Sequence, residues 1–192
     1  MTDTTLVADV DGVPVRTGHL IGGVWVGSST TFESRSPLGW DDMLLANIAR
    51  GDAGTAAAAV GAAVEGFATW GRYSRAERAE VLHRLADLIE ANNEQIAHVE
   101  CLDMGFLQES MKLRLVARGA VNFRLYADLI VEHEDRRWDA KSMDNHVIRM
   151  PAGPTAVITP WNAPFMLSTW KLAPALASGN TVIHKPAEWS PL

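Results

Sequence analysis

The run Thr155-Ala156-Val157-Ile158-Thr159 leads directly into Pro160-Trp161-Asn162-Ala163-Pro164, and further on Thr181-Val182-Ile183-His184 leads into Lys185-Pro186-Ala187-Glu188. Both runs are apolar and rich in β-branched residues, the composition of strands buried on both faces of a parallel sheet. Between them, Phe165 to Ser178 reads as a helix, stopped by Gly179-Asn180. Strand, helix and strand in so short a span define a βαβ unit, because parallel neighbours need a crossover. The fold class is therefore α/β.

Ligands of open α/β sheets sit at the carboxyl ends of the strands. Those ends carry Pro160-Trp161-Asn162 and Lys185-Pro186-Ala187-Glu188, and each has a proline that fixes the backbone as it leaves the sheet. Asn162 supplies an amide donor able to stabilise a developing oxyanion. Lys185 supplies a cation, and Glu188 offers paired acceptors suited to ribose hydroxyls. A carboxylate in that place repels a 2′-phosphate, which favours NAD over NADP. The pattern fits a nucleotide or small-molecule site, and it fits ordinary loop capping as well.

Upstream, His19-Leu20-Ile21-Gly22-Gly23-Val24-Trp25-Val26 reads as a hairpin turning at Gly22-Gly23. Phe32 to Pro37 and Leu44 to Ile48 are further extended pieces. Asp52 or Thr55 can cap a helix that runs to about Trp70. Ser74-Arg75-Ala76-Glu77 is a capping box opening a second helix, whose apolar face holds Val81, Leu82, Leu85, Leu88 and Ile89. A third helix starts at Asn92 or Asn93 and ends near Gly105. A fourth, long helix spans Gln108 to Val131, with Leu113, Val116, Ala120, Phe123, Ala127 and Ile130 on one side. The highly charged stretch Glu132 to Asp144 reads as a solvated hairpin or loop, followed by a strand over His146 to Met150.

Composition narrows the function. The chain has 192 residues, 47% apolar and 21% charged, which are globular values. Lys and Arg number 17 against 23 Asp and Glu, a net charge of −6. That balance argues against nucleic acid or an anionic membrane as the main partner. Cys101 is the one cysteine, so an internal disulfide and a cysteine-based zinc site are excluded, and a reducing, cytoplasmic setting is expected. The uncharged run Pro151 to Trp170 is long enough to span a bilayer, but Pro151, Pro154, Pro160 and Pro164 forbid a continuous helix there. No close pairing of histidines suggests a metal, and none is expected.

Three segments carry a resemblance to a known family: Val157 to Pro164, Trp170-Lys171-Leu172-Ala173-Pro174-Ala175-Leu176-Ala177-Ser178-Gly179-Asn180-Thr181-Val182, and Lys185 to Glu188. In order and spacing they resemble the aldehyde dehydrogenase superfamily, and the likeness extends from about His19 to Leu192. It implies an aldehyde-dehydrogenase-like fold and the N-terminal part of a Rossmann-type cofactor domain, truncated. Residues 1–131 and 152–192 are expected in the cofactor domain and 132–151 in a bridging hairpin used in subunit association, with the catalytic domain absent. Asn162 matches the family's oxyanion donor. Ile158, Thr159, Pro160 and Trp161 match residues along the cofactor's ribose and phosphate. Lys185, Pro186, Ala187 and Glu188 match the segment that binds the adenosine ribose. Lys171 matches a helix lysine assigned to a proton relay, or else it forms an ion pair that holds the helix. Like the family, the chain lacks a Gly-x-Gly-x-x-Gly fingerprint.

The implied reaction is oxidation of a small-molecule aldehyde to a carboxylate with NAD, through a cysteine thioester, in a homo-oligomer. Asn122 to Asp128 and Trp161 to Met166 look closest to members acting on semialdehydes of aromatic breakdown. The family's nucleophile and base lie downstream of the Lys-Pro-Ala-Glu segment, so the 192 residues alone are expected to be inactive. Cys101 is a poor substitute, since its neighbours Glu100 and Asp103 are expected to disfavour a thiolate. The rival readings are a non-catalytic binding or assembly module and an unrelated Rossmann oxidoreductase.

Overall fold

The computed structural model describes residues 6–39 and 43–192. Hairpins come first. Strands β1 (Val7–Val10) and β2 (Val13–Arg16) pair antiparallel, as do β3 (His19–Ile21) with β4 (Val24–Val26) and β5 (Thr31–Arg35) with β6 (Leu44–Ala49). Gly22 and Gly23 both adopt positive φ, as the tight turn between β3 and β4 requires. The β1–β2 hairpin was not expected from the sequence. Its signal is the Asp11-Gly12 pair, which turns with positive φ at both residues between strands of matching length.

The helices α1 (Ala53–Trp70), α2 (Arg75–Ala91) and α3 (Asn93–Met104) follow from local chemistry. Asp52 caps α1 by accepting from the Thr55 amide at 2.8 Å. The α2 capping box is complete: Ser74 Oγ accepts from the Glu77 amide, and Glu77 Oε2 accepts from the Ser74 amide. Gly105 ends α3 in the left-handed conformation, and its amide donates to the Cys101 carbonyl at 2.8 Å.

The expected single helix over Gln108 to Val131 differs in its first turns. It comprises α4 (Gln108–Ser110), a π-helical segment Met111–Val116, and α5 (Ala117–Glu132). The wider turn buries Met111 and Val116 five residues apart and rotates Leu113 outward, 65% exposed. Leu88 is likewise exposed, so the buried face of α2 is narrower than expected. The main core joins Leu82, Ala86 and Ile89 of α2 to Met111, Val116, Ala120, Phe123 and Ala127. Small residues let the layers close: a Cβ on Gly119 would lie 2.5 Å from the Phe165 ring.

The charged segment forms a hairpin of β7 (Arg137–Ala140) and β8 (Met143–His146), closed by an Arg137–Asp144 ion pair. The strand expected over His146 to Met150 is displaced: β8 ends at His146, and one further bond, from the Val147 amide to the Arg136 carbonyl at 2.9 Å, closes the open end of the hairpin. Beyond it lie β9 (Thr155–Ile158), α6 (Pro164–Ala177) and β10 (Val182–Lys185), the βαβ unit. β9 and β10 are parallel, with Thr155 opposite Val182 and Ile158 opposite Lys185. Distant side chains seat this unit on the helices. Trp70 Nε1 donates to the Leu176 carbonyl and Arg78 Nε to the Ala177 carbonyl, occupying acceptors at the end of α6.

Candidate active site

The register of β9 and β10 brings both sequence-predicted segments to one edge. The Thr159 amide donates to the Lys185 carbonyl at 3.3 Å, extending the ladder one residue past β9. The chain then turns through Pro160, Trp161, Asn162 and Ala163 into α6. Asn162 is exposed in this turn. Ile158 is 69% exposed and Trp161 53%, so both present apolar surface to solvent beside the polar groups.

On the neighbouring strand end, Lys185 Nζ pairs with Glu188 Oε2 at 2.9 Å, and both side chains are largely exposed. The Lys185 hydrogen bond, with its charge, holds the Glu188 carboxyl below the usual glutamate value. Ala187 is buried, and its carbonyl accepts from the Ser190 amide. That short turn projects Glu188 outward, while Pro186 is half-buried at its start.

Thr159 behaves differently from its neighbours. It is buried, and its Oγ1 lies 3.0 Å from His184 Nε2 and 3.3 Å from Ser168 Oγ. Ser168 Oγ in turn donates to the Pro164 carbonyl and lies 3.1 Å from His184 Nε2. These bonds tie β9, β10 and the first turn of α6 together. His184 shows part of its ring to solvent. Desolvation of the ring, together with the Lys171 charge, holds its pKa below the ordinary histidine value. Lys171 is exposed on α6 and lines a groove of about 670 Å³ with Thr155, Ala156, Ile158, Trp170 and Pro174.

Three residues outside the motif segments shape the site, and sequence reasoning missed their roles. Ser168 and His184 lie between the segments and carry no pattern of their own. Glu100, on α3, reaches the start of α6: its Oε1 accepts from the Phe165 amide at 3.2 Å. It is only 4% exposed, and its Oε2 has no hydrogen-bond partner among the described residues. Burial is the main cause that pushes its pKa up to about 8, with the Asp103 charge adding and the Phe165 amide opposing. No local pattern announces this contact, which spans 65 residues.

Cys101 corrects the expected cause but not the direction. Its thiol is indeed raised, yet by burial and not by the adjacent carboxylates. Glu100 and Asp103 bond elsewhere: Asp103 accepts from Ser34 Oγ and from the Leu192 amide. The thiol donates to the Phe106 carbonyl at 2.8 Å. Among the described residues, no three His, Cys, Asp or Glu side chains converge on a metal-sized site, and no helix is long and apolar enough to cross a membrane.

A parallel βαβ unit with exposed amide, lysine and carboxylate groups at its strand ends defines an α/β protein with its candidate site at the sheet edge. The chain belongs to the aldehyde dehydrogenase family, whose sequence profile matches residues 25–192. It is 40% identical over 184 residues to a 2-hydroxymuconic semialdehyde dehydrogenase of Pseudomonas sp. (strain CF600), covering 91% of this chain and 37% of that relative. The crystal structure of HpcC from Thermus thermophilus superposes with a TM-score of 0.86 at 43% identity, covering 92% of this chain and 34% of that one. An indole-3-acetaldehyde dehydrogenase complexed with NAD+ superposes with a TM-score of 0.90 at 34% identity, covering 95% and 38%. The chain thus spans little more than a third of the length of these relatives.

Proposed function

We propose that this chain forms the cofactor-binding and oxyanion side of an NAD-dependent dehydrogenase that oxidises a semialdehyde of aromatic breakdown to its carboxylate. The observation that carries the reading is the juxtaposition of Asn162 with the Lys185–Glu188 pair at one end of two paired parallel strands. The semialdehyde class rests on the relatives, several of which are hydroxymuconic or aminomuconic semialdehyde dehydrogenases.

The residues fit a dinucleotide. Glu188 is ionised, exposed and held in place by Lys185, so it offers two acceptors to ribose hydroxyls. The exposed faces of Ile158 and Trp161 give the cofactor an apolar wall, with Pro160 stiffening the turn. Pro186 and Ala187 set the angle from which Glu188 projects. Thr159 acts here from inside, through its bonds to His184 and Ser168. NAD, when bound, supplies the hydride acceptor. Asn162 donates to the oxygen on which charge develops as a nucleophile adds to the aldehyde carbon. Lys171, exposed on α6 in the groove, serves a proton relay or an ion pair that holds the helix. The negative charge of Glu188 disfavours NADP.

In this reading residues 1–131 and 152–192 belong to the cofactor domain, and the 132–151 hairpin serves subunit association in a cytoplasmic homo-oligomer. Cys101, hydrogen-bonded to a carbonyl and raised by burial, does not serve as nucleophile. With Cys101 set aside, the 192 residues by themselves are expected to turn over no aldehyde.

The test has two parts. NAD titrated into the chain should quench fluorescence from Trp161 and Trp189, both exposed beside the site. The protein over its whole reading frame should produce NADH from 2-hydroxymuconic semialdehyde. No quenching and no NADH with either nicotinamide cofactor would remove the proposal.

A further inference from the structure

The first turn of α6 poses a local problem. A helix N-terminus leaves its first amides without intrahelical partners, and a side-chain oxygen at the N-cap usually meets one of them. Here the N-cap is Ala163, which has no such oxygen. Pro164 follows and has no amide hydrogen, so the first amide in need of a partner belongs to Phe165. Glu100 meets it from α3 at 3.2 Å.

Glu100 is itself firmly held. It is buried on α3, one turn from Asp103, which bonds both Ser34 of β5 and the Leu192 amide. Phe165 packs its ring against Gly119 of α5, at a separation that excludes even a methyl group. The Pro160–Ala163 turn is therefore pinned at both ends. Thr159 anchors the start through Lys185, His184 and Ser168, and Glu100 anchors the finish. Asn162 lies between these anchors, three residues before the amide that Glu100 accepts from. A buried carboxyl with one oxygen unpartnered is a costly way to cap a helix.

We propose that Glu100 is a positioning residue for Asn162: its carboxyl group, reaching from α3 to the first free amide of α6, sets the shape of the Pro160–Ala163 turn and so the direction of the Asn162 amide. The functional half of this statement rests on the dehydrogenase reading above. The structural half does not.

The experiment therefore reads both. In the 192-residue chain, amide hydrogen exchange at Phe165 should accelerate about tenfold or more in Glu100→Ala, as for loss of a buried hydrogen-bond acceptor. Glu100→Gln keeps the acceptor and should stay within about threefold of wild type. Amides in the α2–α5 core should not change in either variant. The Phe165 amide shift should also titrate with a midpoint near 8 in the wild type and lose that step in Glu100→Gln. Asp103 is the other carboxyl facing Glu100, and it remains in both proteins. If Glu100→Ala fails to fold, the titration and Glu100→Gln still decide the matter. Unchanged Phe165 exchange, or a missing titration step in the wild type, overturns the proposal.

In the whole enzyme, Glu100→Ala should lower kcat about tenfold with the KM for NAD unchanged, and Glu100→Gln should restore most of it, since a displaced oxyanion donor acts on the transition state. Loss of Phe165 protection with wild-type kcat would refute the link to Asn162. Absence of all aldehyde oxidation would instead refute the dehydrogenase reading and leave the Phe165 result standing.

Discussion

Replacing Glu100 by glutamine should reverse the order of stability of the two proteins between mildly acid and alkaline pH. Glu100 is buried, and burial is the chief cause of a pKa near 8, against an ordinary glutamate value of 4.5. Between those values the folded protein keeps a proton that the unfolded chain has released. Stability conferred by this group is therefore full below about 4.5, declines as pH rises through the window, and is flat above about 8. Each pH unit inside the window costs at most about 1.4 kcal/mol, so the ceiling is on the order of 5 kcal/mol; relaxation around a buried charge brings a realistic figure to about 2–5 kcal/mol.

Glutamine keeps an acceptor for the Phe165 amide and never ionises. Its amide nitrogen, in place of the unpartnered Oε2, costs about 1–3 kcal/mol at every pH. Wild type should thus be the more stable protein near pH 5 and the variant near pH 9. Asp103 is raised by burial too, while Asp52, Glu77, Asp144 and Glu188 are lowered by hydrogen bonds. All five are present in both proteins, and their direct contributions largely cancel in the difference. Urea unfolding at several pH values, followed by circular dichroism, supplies the measurement. Parallel stability curves across the whole range would show that Glu100 is not desolvated as its position implies.

Other substitutions test the site and its frame. Asn162→Ala in the whole enzyme should lower kcat by about 10²–10³-fold with NAD affinity nearly unchanged, the signature of one lost oxyanion donor; stopped-flow and steady-state rates with a wild-type kcat would reduce Asn162 to a turn residue. Glu188→Gln should weaken NAD and improve NADP, and an unchanged ratio of their kcat/KM values would mean the carboxylate does not face the ribose. Gly119→Ala gains helix propensity worth about 1 kcal/mol but forces a methyl to 2.5 Å from the Phe165 ring, an overpacking cost of about 1–3 kcal/mol, so calorimetry should show a net loss. An increase in Tm would mean that the ring yields freely.

Much of the local structure was legible before any coordinates. Asp52, the Ser74–Glu77 box, Gly22-Gly23 and Gly105 act on amides and carbonyls within a few residues, and each performs as read. The β-branched runs of β9 and β10 and the segments that follow them also carry their own signal, which brings Asn162, Lys185 and Glu188 to one edge once the strands pair in parallel. What the sequence could not disclose lies in contacts between distant segments. The π-helical turn that exposes Leu113 answers to packing around Met111 and Val116. The inward Thr159, the Trp70 and Arg78 bonds at the end of α6, and the reach of Glu100 to Phe165 join residues far apart in the chain or on different elements. Caps, turns and strand composition are near-neighbour chemistry, so the sequence alone determined them. Which buried polar group meets which orphan amide depends on how whole helices seat against one another, and only the tertiary structure decided that.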